Sequence, residues 1–220
     1  MEQVYAGKQL FITGATGFLA KAVVEKLLRS SPYIERIYVL IRPRKGVEPV
    51  VRLRKEIIES QIFDRLRSER PHDFLEFVTS KLYAVAGDVT LPGFGLSDAD
   101  AQLVQQHAQI IIHSAATVQF NEPLEVAVEM NCLGAMNALR FAQSCRNVLC
   151  YVHVSTAYVN SNQRNVQLSE QLYPLDFDVE EAISAVSKAS PAELERLTVN
   201  LMGTYPNTYA LTKSMAEHLI

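Results

Sequence analysis

The chain has 220 residues, 48% of them hydrophobic, and a formal net charge of -3. That is enough apolar material for a sizeable core, and the near-balanced charge gives no reason to expect a nucleic-acid partner. The polar start MEQVYAGKQ, with an acid at position 2, is unlike a secretory signal, and no apolar run approaches the roughly 20 residues that span a bilayer.

In chain order, KQLFIT reads as a buried strand. The segment 17–30 follows with helical apolar spacing at Val23, Val24, Leu27 and Leu28. RIYVLI, LYAVAG, QIIIHS and LCYVHVS read as four further strands, and PLEVAVEMNCLGAMNALRFAQSC as a long helix between the last two. Continuous apolar strands separated by helices predict a doubly wound, Rossmann-type α/β domain with a parallel sheet covered on both faces. Two stretches break the rhythm. Residues 42–81 are charged and contain an expected helix over 50–66, with Val51, Ile57, Ile58 and Ile62 on its apolar side. Residues 160–208 form a long polar insertion with expected helices over 179–185 and 191–201; a connection of this length reads either as surface decoration or as a lid over a substrate. Cys132, Cys145 and Cys150 lie in apolar stretches without metal-ligand spacing, so they read as reduced core residues, and no metal is expected.

TGATGFLA (13–20) directly follows the first strand. Gly14 permits a tight turn, Gly17 has no side chain to block a pyrophosphate from the helix N-terminus, and Ala20 is small enough for close helix–strand packing. The spacing is Gly-x-x-Gly-x-x-Ala rather than Gly-x-Gly-x-x-Gly, and its place between strand and helix predicts dinucleotide binding. The second strand ends in IRPRKG instead of an acid. Arg42, Arg44 and Lys45 suit a 2'-phosphate, which favours NADPH over NADH. After the third strand, Asp88 of GDVT is positioned to accept a hydrogen bond from the adenine amino group. HSAAT after the fourth offers small residues where the cofactor must pass. His113 and His153, at strand ends, read as packed scaffold.

The fifth strand runs into HVSTAYVN, which puts the hydroxyls of Ser155 and Thr156 at the carboxyl end of the sheet; Tyr158 is a further candidate to line the site. YPNTYALTK then places Tyr209 and Lys213 four apart, on one face of a helix. An ammonium beside a phenol favours the phenolate and eases proton release. A hydroxyl to bind a carbonyl oxygen, a Tyr to protonate it and a Lys beside the Tyr form a carbonyl-reducing triad.

Taken together, TGATGFLA, VLIRPRKG, AGDVT, IIHSAATVQFNEPLEVAVEMNCLGAMNAL, HVSTAYVN and YPNTYALTK resemble the reductase domain of the alcohol-forming fatty acyl-CoA reductases. That family is a branch of the extended short-chain dehydrogenases/reductases with a male-sterility-type NAD-binding domain. The resemblance covers nearly the whole chain. It implies that a long-chain acyl-CoA and two NADPH give a primary alcohol through an aldehyde, with release of CoA. It also carries the cofactor site onto Gly14, Thr16, Gly17, Phe18 and Leu19 at the pyrophosphate, Arg42 at the 2'-phosphate, and Asp88 and Val89 near adenine. Ser114 and Ala115 would lie along the cofactor, with Asn131 in the central helix and Tyr209 and Lys213 at the nicotinamide end. For catalysis it favours Thr156 over Ser155, beside Tyr209 and Lys213. Ala20 departs from the family, which commonly has Gly there.

On this resemblance, residues 1–220 form one NADPH-binding reductase domain, truncated at its carboxyl end, with 160–208 as a substrate-side insertion. The family continues with more sheet, a substrate-binding region and often a membrane-associated part, and membrane association would come only through that part. The expected location is the cytoplasm or the cytosolic face of a peroxisome or the endoplasmic reticulum. Alternative readings are a thioester reductase acting on carrier-bound acyl groups, a sugar-nucleotide epimerase or dehydratase of the same superfamily, or a non-enzymatic NADPH-binding module with a degenerate site, which the intact triad disfavours. The sequence carries no sign of an oligomeric state.

Overall fold

The structure, a computed structural model, describes residues 2–44 and 46–220. Five strands form one parallel sheet: β1 (Gln9–Thr13), β2 (Arg36–Ile41), β3 (Leu82–Ala86), β4 (Ile110–His113) and β5 (Cys150–His153). Their order is β3-β2-β1-β4-β5, with Phe11 paired to Tyr38 on one side and to Ile111 on the other. The chain therefore winds outward from β1 in both directions, and the order reverses between β1 and β4. In such sheets the crevice beyond the strands' carboxyl ends at that reversal is where ligands bind. The doubly wound class expected from the apolar runs is the one observed.

The chain divides into two compact units. The first comprises residues up to Ala115 together with Ala138–Val154; the second comprises Ala116–Asn137 and Ser155–Ile220.

In the first unit, β1 alternates between two cores. Leu10 and Ile12 pack with Ala20, Val24, Leu27 and Leu28 of helix α1 (Phe18–Ser30). Phe11, on the opposite face, meets the rings of Phe94 and Phe141 at 5.7 and 5.4 Å. The helix expected over 50–66 is broken into Pro49–Arg52, a π-turn over Leu53–Ile58, a 3-10 turn over Gln61–Phe63, and Asp64–Glu69. Ser60, in extended backbone, interrupts it. Leu53, Ile57, Ile58, Phe63 and Leu66 still reach the core, but the altered winding leaves Val51 exposed. Helices α2 (Phe74–Lys81) and α3 (Asp98–His107) also belong here. Cys150 corrects the reading of all three cysteines as core residues: it lies on edge strand β5 and is exposed, whereas Cys132 is buried.

The long helix expected before β5 runs as Leu124–Ala127, a π-turn over Val128–Leu133, and α4 (Gly134–Ser144). The insertion carries α5 (Val179–Lys188) and α6 (Pro191–Met202), and α7 (Thr208–Leu219) follows. Asp178 caps α5, and a Ser190–Glu193 capping box opens α6 with Pro191 in its first turn. The second unit's core joins Leu124, Val128 and Cys132 to Val179, Ile183 and Val186 of α5 and to Ala210, Leu211 and Met215 of α7. Among the described residues, no helix is long and apolar enough to cross a membrane.

Candidate active site

Within the first unit, the turn after β1 is shaped by close backbone approach. Gly14 has φ +75°, and a Cβ there would lie 2.7 Å from the backbone nitrogen of Ala115. Gly17 N–H donates to Gly14 O at 2.8 Å, closing the turn. Gly17 is the N-cap of α1 in extended backbone, and no side chain caps the helix. Phe18 is 80% exposed, whereas Ala20 is buried, as the third small position requires. The uncapped first turn leaves amide donors and the positive end of the helix dipole for an anion, and the side-chain-free Gly17 gives it a way in. These residues fit a dinucleotide pyrophosphate. Thr16 stands half-buried in the same turn, and Leu19 is exposed beside Phe18.

Thr13, which the sequence reading passed over, organises this corner. It is fully buried, and its Oγ1 accepts from the amides of Ser114 and Ala115, both at 3.2 Å, while pairing with His113 Nδ1 at 2.9 Å. The ends of β1 and β4 are thereby tied side chain to backbone. The ring of His113 stacks on that of His153, centroids 5.4 Å apart; His113 is buried and His153 half-buried.

Beyond β2, Arg42 is largely exposed, with Nη1 3.9 Å from Asp88 Oδ2; Arg44 Nη1 is 3.6 Å from Glu56. Lys45 lies outside the described residues. Asp88 Oδ1 accepts from both the amide and the hydroxyl of Thr90 at 3.1 Å, which fixes the GDVT turn. Val89 is 5% exposed, so its side chain belongs to the core and only its backbone can serve a ligand.

The second unit holds the triad residues. Asn207 caps α7, accepting from Ala210 N–H at 2.8 Å, and Tyr209 and Lys213 follow one turn apart. Lys213 is 2% exposed. Burial pushes its ammonium down to about 8, against the opposing influence of Cys132 and Glu217. Burial likewise pushes the Cys132 thiol up to about 12, so it remains protonated and its Sγ donates to Thr212 O at 3.3 Å. Tyr209 lies against Phe120, ring centroids 5.8 Å apart, and Phe120 is 54% exposed.

A polar latch holds the 117–122 loop to α7. Asn131, buried within the π-turn, accepts from Thr117 N–H at 2.9 Å and donates to Thr212 Oγ1 at 3.0 Å. Thr208 Oγ1 donates to Glu122 O at 2.8 Å, and Thr117 Oγ1 to Glu122 Oε2 at 2.8 Å. The amide of Asn131 is therefore engaged by protein, and it positions the neighbours of Tyr209. Thr156 Oγ1 accepts from Tyr158 N–H at 3.3 Å, which leaves its own proton free to donate. The Ser155 hydroxyl is buried without a protein partner among the described residues.

A profile of the NAD-binding family described as "Male sterility protein" matches residues 12–220. The chain belongs to this family. Among curated relatives, fatty acyl-CoA reductase 1 of Mus musculus and of Homo sapiens are each 38% identical over 218 residues. Those matches take in 99% of this chain and 41% of the relative, so the chain spans well under half the length of these relatives. Of solved structures, the terminal R domain from the myxalamid PKS-NRPS pathway is 27% identical with a TM-score of 0.61, covering 97% of this chain and 44% of that one. The Bordetella bronchiseptica enzyme WbmG, solved in complex with NAD, shares the fold at a TM-score of 0.53 and 16% identity, over 97% of this chain and 49% of its own. Family membership makes the bound cofactor a nicotinamide dinucleotide.

Proposed function

We propose that this chain is the cofactor-binding and proton-donating part of an NADPH-dependent fatty acyl-CoA reductase. It would convert long-chain acyl-CoA to primary alcohol through the aldehyde, with release of CoA. The observation that carries the reading is Lys213, a cation 2% exposed one helical turn after Tyr209. Burying an ammonium is costly, and a fold with no use for the charge has no reason to keep it there. The 38% identity to fatty acyl-CoA reductase 1 supports a fatty acyl-CoA as the substrate class. The arginines after β2 support NADPH over NADH.

In this reading Gly14, Thr16, Gly17, Phe18 and Leu19 hold the pyrophosphate, Arg42 the 2'-phosphate, and Ser114 and Ala115 the passage between. The cofactor, when bound, supplies hydride. The Thr156 and Tyr209 hydroxyls donate hydrogen bonds to the substrate carbonyl oxygen, where negative charge develops. Tyr209 gives its proton at Oη, and the Lys213 charge compensates the phenolate left behind. Asn131, Thr117 and Thr208 keep α7 and the 117–122 loop in register for both reductions. As part of the same proposal, the protein works in the cytoplasm or at the cytosolic face of a peroxisome or the endoplasmic reticulum.

A carrier-bound thioester is the second reading, favoured by the 27% identity to the R domain of a PKS-NRPS pathway. Offering the same acyl group on CoA and on a phosphopantetheinyl carrier separates the two. The proton-donor role is tested with Tyr209→Phe in a full-length enzyme, assayed by gas chromatography of the alcohol. The variant is expected to keep NADPH binding and to lose about 10²–10⁴-fold in reduction of both acyl-CoA and added aldehyde. Aldehyde reduction by Tyr209→Phe at the parental rate would exclude the role.

A further inference from the structure

Arg52 is the least expected side chain of the first unit. It sits at the end of the Pro49–Arg52 helix, just before the π-turn, and is only 4% exposed. Its Nε and Nη2 grip the Glu56 carboxylate at 2.7 and 2.8 Å. Its Nη1 donates to the backbone carbonyl of Arg42. The same carboxylate oxygen that receives Nε also lies 3.6 Å from Arg44 Nη1. The Arg52 hydrogen bonds, with Arg44 and Lys21 of α1 nearby, hold the Glu56 carboxyl below its usual range. One guanidinium thus ties the first residue beyond β2 to an acid of the following helix.

We infer that Arg52 is a positioning residue for cofactor selectivity: with Glu56 it is a buried strut that fixes the Arg42 backbone, and so sets where the exposed Arg42 guanidinium stands. The inference rests on the proposal that Arg42 reads a 2'-phosphate. The chemistry requires arginine. Only a planar fork presents two donors to a carboxylate and a third, in another direction, to a carbonyl. A lysine has one nitrogen and cannot span both partners. Among the described residues, the 42–48 loop also has local contacts, with Val47 N–H donating to Arg44 O at 2.9 Å and Gly46 at φ +75°. Those contacts shape the turn without anchoring it to the unit's core. Arg42's own side-chain tie, to Asp88 at 3.9 Å, is long and largely exposed. Arg52 adds a buried side-chain tie between Arg42 O and Glu56.

The test is the ratio of NADPH to NADH dissociation constants, measured by calorimetry on this chain. The proteins compared are the parent, Arg42→Ala, Arg52→Met, the double variant, Arg52→Lys and Glu56→Gln. Arg42→Ala is expected to weaken NADPH roughly ten-fold or more and to leave NADH within about two-fold. Arg52→Met should lower the ratio by a comparable factor, and Arg52→Lys should not restore it. Glu56→Gln, which keeps the shape, should move the ratio the same way by less. Because Arg52 acts through Arg42, the double variant should have the ratio of Arg42→Ala alone. Equal weakening of both cofactors in the two Arg52 variants would make Arg52 a general prop, and full additivity with Arg42→Ala would make it a direct phosphate contact; either overturns the inference. A parent that binds both cofactors equally, or an Arg42→Ala that leaves the ratio unmoved, removes the 2'-phosphate reading itself and with it the strut's role.

Discussion

Gly14→Ala tests whether the turn after β1 is built by backbone contact. At φ +75° an L-residue pays about 1–2 kcal/mol for the left-handed conformation. The new Cβ would also fall 2.7 Å from both Ala115 N and Ser114 C and 2.8 Å from Ala115 Cα. All three are backbone atoms, pinned from the other side by Thr13 Oγ1, so relief requires moving a strand end, at about 1–3 kcal/mol. The total expected loss is roughly 2–5 kcal/mol. Gly7→Ala is the matched control, since Gly7 has φ +66° and nothing within 4 Å of a built Cβ. It pays the conformational term alone, and the entropy that alanine removes from the unfolded chain is common to both variants and cancels. Urea unfolding followed by tyrosine fluorescence suits a chain with nine tyrosines and no tryptophan. Gly14→Ala should be less stable than Gly7→Ala by about 1–3 kcal/mol. Equal stabilities would refute the argument that Gly14 is required by the approach of residues 114 and 115.

Three further outcomes follow from the second unit and the edge strand. Asn131→Ala should cost about 2–4 kcal/mol in the same urea assay, because it strands the Thr117 amide and a buried threonine hydroxyl contact together; a loss under about 0.5 kcal/mol would mean the latch is not a structural element. A thiol-reactive chromophore should label exposed Cys150 first under native conditions and reach Cys132 only on unfolding, since Cys132 is both buried and held protonated by a pKa near 12; fast native labelling in the Cys150→Ser variant at Cys132 would contradict the packing. Lys213→Met should be more stable than the parent at pH 7, and the gain should shrink as pH rises from about 8 toward 10.5. The sign follows from linkage: the folded pKa is depressed, so the unfolded chain binds more protons in that window and the parent's stability rises through it. A stability difference that stays constant from pH 7 to 10.5 would show that Lys213 is not penalised by burial.

What was legible in the sequence, and what was not, divides by the range of the interactions. RIYVLI and QIIIHS were readable because a parallel strand buried on both faces is a continuous apolar run, a signal contained within a few residues. The glycine turn was readable because its requirement for bare backbone is local, even though the atoms Gly14 must avoid are about a hundred residues away. Tyr209 and Lys213 were readable because helical spacing puts them on one face. The partners that hold these groups in place leave no such trace. Thr13 pairs with His113 across 100 residues, and Asn131 reaches Thr212 across 81. A threonine at the end of a strand, or an asparagine in a helix, has the same local pattern whether or not it is the centre of a network.

The two π-turns show how the long-range demand overrides the local one. Over Leu53–Ile58 and Val128–Leu133 the residues are ordinary helix formers, and their apolar spacing predicts uninterrupted α-helix. A π-turn wastes hydrogen-bond geometry, so it persists only where something outside the helix gains from the extra residue, and such turns are frequent at functional sites. In the second unit the residue gained by the wider turn is in the segment that carries both Asn131, bonded to the 117 loop and to Thr212, and Cys132, packed on α7 beside Lys213's turn. In the first, the turn begins immediately after Arg52, the residue that spans Glu56 and Arg42 O. In both units the departure from α-helix therefore stands next to a buried polar side chain that bridges separate segments. That is the arrangement expected when a polar contact worth more than one helical hydrogen bond sets the winding. The local cost was visible in neither stretch of sequence, because the benefit is collected at residues the pattern does not contain.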